Sequence, residues 1–484
     1  MTSVLKVVVP IFAILHVVTA YNYLFVSSNF CYTHAVYNAK IAETLQKAGH
    51  QVHFVMFKSN KFVPFNDNKL TNVTTILADD IEVMSKILSG FSIYNDVFTS
   101  DVALMKGEEL DIMLGMFQHY CRSLLHNAEL QEILNRTKYD ALFVESIDIC
   151  GAALGHLHGI KPVFFMSPVP VSEYNSYSMG IPFNPNVFPV MNRASPNGIH
   201  MTMYERFVNW YEYYDSVGNL LRRMSNGEVF QLVQHLNLPY PQELSRNAAL
   251  FIQNTNEFLD LPRPVSGKQV FVGGITVRAP GTLNEETQKI YDSAKKGVIY
   301  FSFGSLADNS KLPANTTQKT AAFITHCGLN SLNEAAFAGV PLIAIPLFGD
   351  QTFNTAVVNH IGNGIHVSKL QLTEETIVKA LDTVLNSPKI RSRAKELSEM
   401  LNNQPKPPQQ KLVDSVVLAT RYPEMYNKLT LPGAEVSFVR YFGLDLLAVV
   451  LAAATATLVF VAVGMYKMYV TVRLFTAPSK VKAQ

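Results

Sequence analysis

Several things are scarce in this chain, and each scarcity excludes something. Of 484 residues, four are cysteine and one, Trp210, is tryptophan. Cys31, Cys121, Cys150 and Cys327 are spaced too widely for a metal cluster or a dense disulfide scaffold. No excess of either charge exists: 40 Lys+Arg against 38 Asp+Glu leave a formal net charge of +2, so no global field selects nucleic acid or another polyanion. No G-x-G-x-x-G follows a first strand and no G-x-x-x-x-G-K-[ST] loop occurs, which weighs against a nicotinamide dehydrogenase and a P-loop nucleotidase.

Long apolar runs, by contrast, stand near both ends. Lys6, an apolar run over 7–18 and small residues ending at Ala20 have the layout of a secretory signal peptide at 1–20, although a buried first strand shares half that pattern. Residues 446–466 contain no charge and are long enough to cross about 30 Å of hydrocarbon as a helix. Lys467, Arg473, Lys480 and Lys482 follow, whereas Arg440 and Asp445 precede, so the positive-inside bias puts 467–484 in the cytosol and the large N-terminal part in a lumen, a type I arrangement. The last five residues, 480–484, resemble a dilysine retrieval signal of the endoplasmic reticulum; a solvated charged tail is the plainer reading. In a lumen, the sequons at Asn72, Asn135 and Asn315 become glycosylation acceptors.

Without leader and anchor, about 420 residues remain, too many for one core, so two domains are expected. Apolar runs at 21–26 and 52–57 flank a helical pattern carried by Tyr37, Ile41, Leu45 and Ala48, a βαβ unit. Further strands are expected at 141–144 and 163–166 with a helix at 151–158. At 204–224, Phe207, Tyr211, Tyr214 and Leu221 predict a helix face that packs on the domain or lines a cavity. A second α/β series is expected from strand 270–272 onward, with strands at 298–303, 322–325, 341–345 and 364–367 and a helix capped by Thr373. The expected layout is thus α/β: an N-terminal domain over 21–260, a C-terminal domain over 261–425, a linker at 426–445 and the anchor.

The block from His326 to Glu334 carries the strongest chemical signal. A strand, a tight turn through Cys327 and Gly328, and a helix start capped by Asn330 or Ser331 present unpaired N–H groups at the positive end of a dipole, which suits a diphosphate. His326 can donate to the same phosphates, and Glu334 can accept from ribose hydroxyls; a plain glycine turn with an ordinary cap is the bland alternative. Asp350 and Gln351, after the next strand, combine acceptor and donor functions suited to sugar hydroxyls, or are simple surface polarity. In the first domain, His34 follows the first strand and can act as general base if a carboxylate orients it; Glu145 is best placed, then Asp148. No metal-ligand cluster stands out.

Taken together, Phe301-Ser302-Phe303-Gly304-Ser305, the Gly273-Gly274-Ile275 turn, the block over 323–351 and the anchor with its lysine tail resemble the membrane-bound animal UDP-glucuronosyltransferases and UDP-glucosyltransferases, with wording closest to nematode members. That resemblance implies two Rossmann-like domains of the GT-B glycosyltransferase type. It implies UDP-glucuronate, or next UDP-glucose, as donor co-substrate without a permanently bound cofactor, a small lipophilic acceptor, and membrane partners that include related transferases as homo- or hetero-oligomers. Ser305, His326, Gly328, Asn330, Ser331, Glu334, Asp350 and Gln351 fall on the donor site, and His34 with Glu145 on the catalytic pair, where the family usually has aspartate as the partner. The implied reaction is direct displacement with inversion at the anomeric carbon.

Two departures qualify the resemblance. Only fifteen residues separate Ser305 from Ala321, where the family places further elements, including a base-stacking tryptophan loop. Cys327 replaces a glycine in the phosphate turn. A catalytically impaired paralogue or splice form that partners full-length enzymes is therefore the competing expectation.

Overall fold

The computed structural model describes residues 20–29, 31–58, 69–77, 115, 119–146, 149–191, 194–226, 234–278, 283–304 and 320–476. The expected leader, Asp148, Ser305 with the short stretch after it, Asn315 and the lysine tail lie outside the described residues. The chain divides into Met1–Thr430 and Leu431–Gln484.

The first unit holds two parallel sheets. One is built from β1 (Asn22–Ser28), α1 (Tyr32–Lys47), β2 (Gln51–Lys58), β3 (Val73–Leu77), α2 (Ala128–Arg136), β4 (Ala141–Glu145), α3 (Ile149–Leu157), β5 (Val163–Ser167), α4 (Glu173–Ser178), α5 (Met203–Asn226), α6 (Pro241–Arg246), β6 (Leu250–Gln253) and β7 (Gln269–Phe271). Its strand order is β3-β2-β1-β4-β5-β6-β7, so the chain runs outward from β1 in one direction and then from β4 in the other. The second contains α7 (Glu285–Ser293), β8 (Val298–Ser302), β9 (Thr320–Thr325), α8 (Leu329–Ala338), β10 (Leu342–Ala344), α9 (Gln351–Ile361), β11 (Gly364–His366), α10 (Glu374–Asn386), α11 (Pro388–Asn402) and α12 (Pro408–Arg421), in the order β11-β10-β9-β8. Tandem Rossmann-like sheets are what the sequence predicts. Central strands such as β1 and β4 are apolar without alternation because helices cover both faces. The expected cap of α10 is present as a capping box between Thr373 and Thr376.

Three placements differ from expectation. Strand β7, expected to open the second series, pairs with β6 and closes the first sheet. Helix α12 also returns to that sheet: Leu412, Val416 and Ala419 are fully buried in one cluster with Tyr23, Phe25 and Phe143, and the Tyr23 hydroxyl lies 3.3 Å from Thr420 Oγ1. The first core therefore draws on sequence from both sides of the second. Helix α5, finally, buries Asn209, Glu212, Tyr213 and Val217, while Phe207 and Tyr211 of its expected inner face point outward; the Leu221 side chain is outside those described. Four cysteines also yield one disulfide, Cys121–Cys150, which ties the segment before α2 to α3.

Among the described residues, the second unit contains one helix long and apolar enough to cross a membrane, Leu444–Phe475, with mean hydropathy 2.7. It matches a single-pass anchor and extends beyond the expected span at its C-terminal end.

If α12 completes the first core, Leu412→Ala should cost about 3 kcal/mol of stability. Leu418→Ala, on the exposed side of the same helix, should cost no more than about 0.5 kcal/mol. Urea unfolding of the solubilised protein followed by circular dichroism reads both; equal effects would refute the docking.

Candidate active site

The parallel pairing of β1 with β4 brings two carboxyl ends side by side. Helix α1 begins just past β1, with Cys31 at its N-cap and His34 in its first turn. Glu145 is the last residue of β4. His34 Nδ1 lies 2.5 Å from Glu145 Oε1. One helical turn after His34, the fully buried Asn38 donates from Nδ2 to Glu145 Oε2 at 3.3 Å and to Ser27 Oγ at 3.0 Å. Glutamate in place of aspartate thus keeps the pair, because Asn38 holds its second oxygen. Asn38 escaped sequence reasoning, and its one signal is the i, i+4 spacing from His34.

Burial is the largest influence on His34 and works to lower its pKa, but the charge and hydrogen bond of Glu145 and the charge of Asp350 outweigh it. The imidazole therefore titrates above 6.5. Asp350 is pushed up by burial, which the Asn354 hydrogen bond and the field of His34 oppose. Each group feels the other, so the two sheets turn the carboxyl ends of their strands toward one crevice, where open α/β folds bind ligands.

On the opposite wall, β9 ends at Thr325 and α8 starts four residues later. Cys327 adopts φ 65°, and Gly328, rather than Asn330 or Ser331, occupies the N-cap. The left-handed cysteine costs about 1 kcal/mol relative to glycine. Thr325 Oγ1 accepts from its N–H at 3.1 Å and Asn354 Nδ2 donates to its carbonyl at 2.9 Å, which holds the turn. No side chain caps α8, so the N–H groups of its first turn stay available to an anion. The His326 ring lies against two glycines: a Cβ on Gly304 or Gly328 would approach Nε2 to 2.4 or 2.6 Å. Burial pushes His326 down to about 4, and a Ser302 backbone contact only partly offsets this. A neutral imidazole has a single N–H, so His326 can donate to a phosphate only in place of its Ser302 backbone contact.

The remaining residues divide between ligand-facing and structural work. Glu334, one turn into α8, is pushed up to about 7 by burial, with Arg278 opposing. Asp350 immediately precedes α9, and Asn354 Nδ2 reaches its Oδ2 at 2.8 Å. Gln351 is buried, and its oxygen accepts from the N–H groups of Leu347 at 2.8 Å and Phe348 at 3.1 Å, so its amide nitrogen is what it can offer a sugar. Asn330 Oδ1 is likewise engaged, by Asn254 Nδ2 at 2.9 Å and Thr276 Oγ1 at 3.4 Å. Asn254, just after β6, also receives Asn333 Nδ2 on its carbonyl at 3.1 Å and so joins the two walls. Sequence reasoning missed it because nothing local marks a residue whose partners lie more than seventy positions away. Ser331 sits in the first turn of α8.

Glu334 yields a prediction with a definite sign. Its folded pKa exceeds the unfolded value of about 4.5, so its charge burden is absent at low pH and develops as pH rises toward about 7. Glu334→Gln should therefore stabilise the protein by about 2 kcal/mol near pH 8 and leave it unchanged near pH 4. Urea midpoints at the two pH values test this, and an equal gain at both would show that burial of charge is not the cause.

Comparison with known proteins agrees with this fold. A putative UDP-glucuronosyltransferase of Caenorhabditis elegans is 27% identical over 93% of this chain and 95% of its own length. The 2-hydroxyacylsphingosine 1-beta-galactosyltransferase of Homo sapiens is 26% identical over 86% of this chain and 82% of its own length. Nematode and mammalian relatives thus stand at nearly the same distance. Among solved structures, a UDP-glucosyltransferase from Polygonum tinctorium superposes with TM-score 0.53 at 16% identity, over 83% of this chain and 99% of that one, and so shares the fold. With residues 24–318 and 315–480 matched in two segments, the chain belongs to the UDP-glucoronosyl and UDP-glucosyl transferase family.

Proposed function

We propose that this crevice transfers a glycosyl group, glucuronate first and glucose next, from a UDP-sugar to the hydroxyl or carboxyl of a small lipophilic acceptor. The observation that carries the proposal is the His34–Glu145 pair on one wall within the field of Asp350 on the other. His34 takes the acceptor proton while Glu145 fixes the ring and stabilises the imidazolium. The acceptor oxygen bonds to the anomeric carbon from the face opposite UDP, the bond to the diphosphate breaks, and the electron pair leaves with UDP, inverting α to β. First-turn N–H groups of α8 and the neutral His326 stabilise the leaving charge. Glu334 takes the ribose, and Asp350 with the Gln351 amide takes the sugar. The N-terminal part then serves the acceptor and the C-terminal part the donor, with Ser305 a further donor contact.

The same reading puts the first unit in the endoplasmic reticulum lumen as a type I protein with a signal peptide. The Cys121–Cys150 disulfide suits an oxidising compartment, and Asn72 and Asn135 are exposed as acceptors of N-glycans must be. A second reading, a non-catalytic partner of full-length transferases, draws on the fifteen residues between Ser305 and Ala321. Donor binding separates the two.

UDP release by the full-length solubilised protein should be measured with UDP-glucuronate and UDP-glucose. His34→Ala should lower turnover about a thousandfold with UDP affinity unchanged; a wild-type protein that binds neither donor would refute catalysis and favour the partner role. The base must be neutral to act, so kcat/KM should climb with pH through the raised pKa of His34. Glu145→Gln removes the charge that raises it and should move that limb to lower pH while reducing the plateau about a hundredfold. An unmoved limb would assign it to another group.

A further inference from the structure

Asp350 and Gln351 stand at the start of α9, and the far side of that start is held by segments that precede the second sheet in sequence. At 100° per residue, Thr352, Phe353 and Ala356 lie on the side of the helix away from Asp350, Gln351 and Asn354. Phe353 and Ala356 are buried in one cluster with Ala194 and Leu261. The Thr352 hydroxyl donates to the Met191 carbonyl at 3.0 Å, with the Gly349 carbonyl a more distant acceptor at 3.4 Å. Met191 is held from behind in turn, because its N–H donates to Glu173 Oε2 at 3.2 Å. The next residue of α9, Phe353, lies under the Arg263 guanidinium, 5.4 Å from its carbon to the ring centroid. Arg263 donates from Nη1 to the Val171 carbonyl at 2.7 Å and from Nη2 to Asp260 Oδ2 at 2.6 Å.

Two legs therefore run from residues 171–173, just past β5, to consecutive residues of α9. One passes through Arg263 to Phe353, the other through Glu173 and Met191 to Thr352. The Arg263 and Asp260 side chains are only 9% and 7% exposed. An ion pair buried to that degree adds little net stability over an apolar substitute, but the planar guanidinium fixes direction. The first turn of α9 needs such outside support. The Asp350 side chain makes no capping bond to the helix it precedes, and the Gln351 oxygen is already engaged by its own loop. We propose that Arg263, Thr352 and Phe353 are positioning residues for sugar recognition. They hold the first turn of α9 so that the Asp350 carboxylate and the Gln351 amide nitrogen meet the hydroxyls of the sugar ring together. This deepens the transferase reading and rests on its assignment of the sugar to Asp350 and Gln351. The diphosphate, assigned to α8, does not depend on the grip.

Calorimetry on the full-length solubilised protein separates sugar from nucleotide, with UDP, UDP-glucuronate and UDP-glucose titrated into wild type and variants. Thr352→Val deletes the hydroxyl and keeps the branched shape. It should weaken the better-bound UDP-sugar about tenfold and leave UDP affinity at the wild-type value. Thr352→Ser keeps the donor and should bind the UDP-sugar as wild type does. Phe353→Leu stays apolar but removes the ring under Arg263, and should reproduce the valine result. Equal weakening of UDP and UDP-sugar would overturn the proposal, since a merely loosened domain affects both ligands alike. Unchanged binding of both would overturn it as well, as would a serine variant no better than the valine one. A wild type that binds neither UDP-sugar fails the transferase reading itself, before any variant is compared, and removes this proposal with it.

Discussion

A buried carboxylate is costly unless its surroundings are built for it, and Glu145 imposes that demand on the first sheet. Its two oxygens are met by His34 and Asn38, one turn apart on α1, and Asn38 is itself tied to Ser27 on β1. Strand β4, strand β1 and the start of α1 are therefore locked in one relation. The raised basicity of His34 follows from the same contact, so the interaction that holds the wall together also sets its chemistry.

The opposite wall answers with fixed dipoles and a neutral ring in place of paired charges. Space for His326 exists because residues 304 and 328 are glycine, and burial keeps the ring uncharged. The uncapped first turn of α8 supplies the positive end of a dipole without a countercharge. Cys327 departs from this design: it holds the left-handed geometry that glycine adopts freely, and it does so inside the core beside Leu329 and Phe323. Across the junction, Asn254, Asn330 and Asn333 bind the walls through uncharged hydrogen bonds.

Much of the architecture was legible from local pattern. Continuous apolar runs located β1, β2, β4, β5, β9 and β10 because both faces of a parallel sheet are covered, and capping chemistry located the start of α10 at Thr373. The approach of His34 to Glu145 was legible from their places after two strands, and the turn at 326–328 from its strand, glycine and helix order. Where local pattern failed, distance along the chain or rotation about an axis was the cause. Strand β7 and helix α12 look like members of the second series by position, but the first core was left open at the edge they close.

By itself the sequence determined the parallel α/β class, the apolar C-terminal span and the residue types on both walls, because periodicity, length and side-chain chemistry are local properties. Only the tertiary structure decided that Asn38 completes the Glu145 pair, that Gln351 spends its oxygen on its own loop, and that α5 turns its aromatic stripe outward. In α5 the apolar residues alone favoured burial. Asn209, buried and bonded to segments up to 24 positions away, sets the opposite rotation, because a buried polar group with all its partners outweighs the pull of an exposed ring.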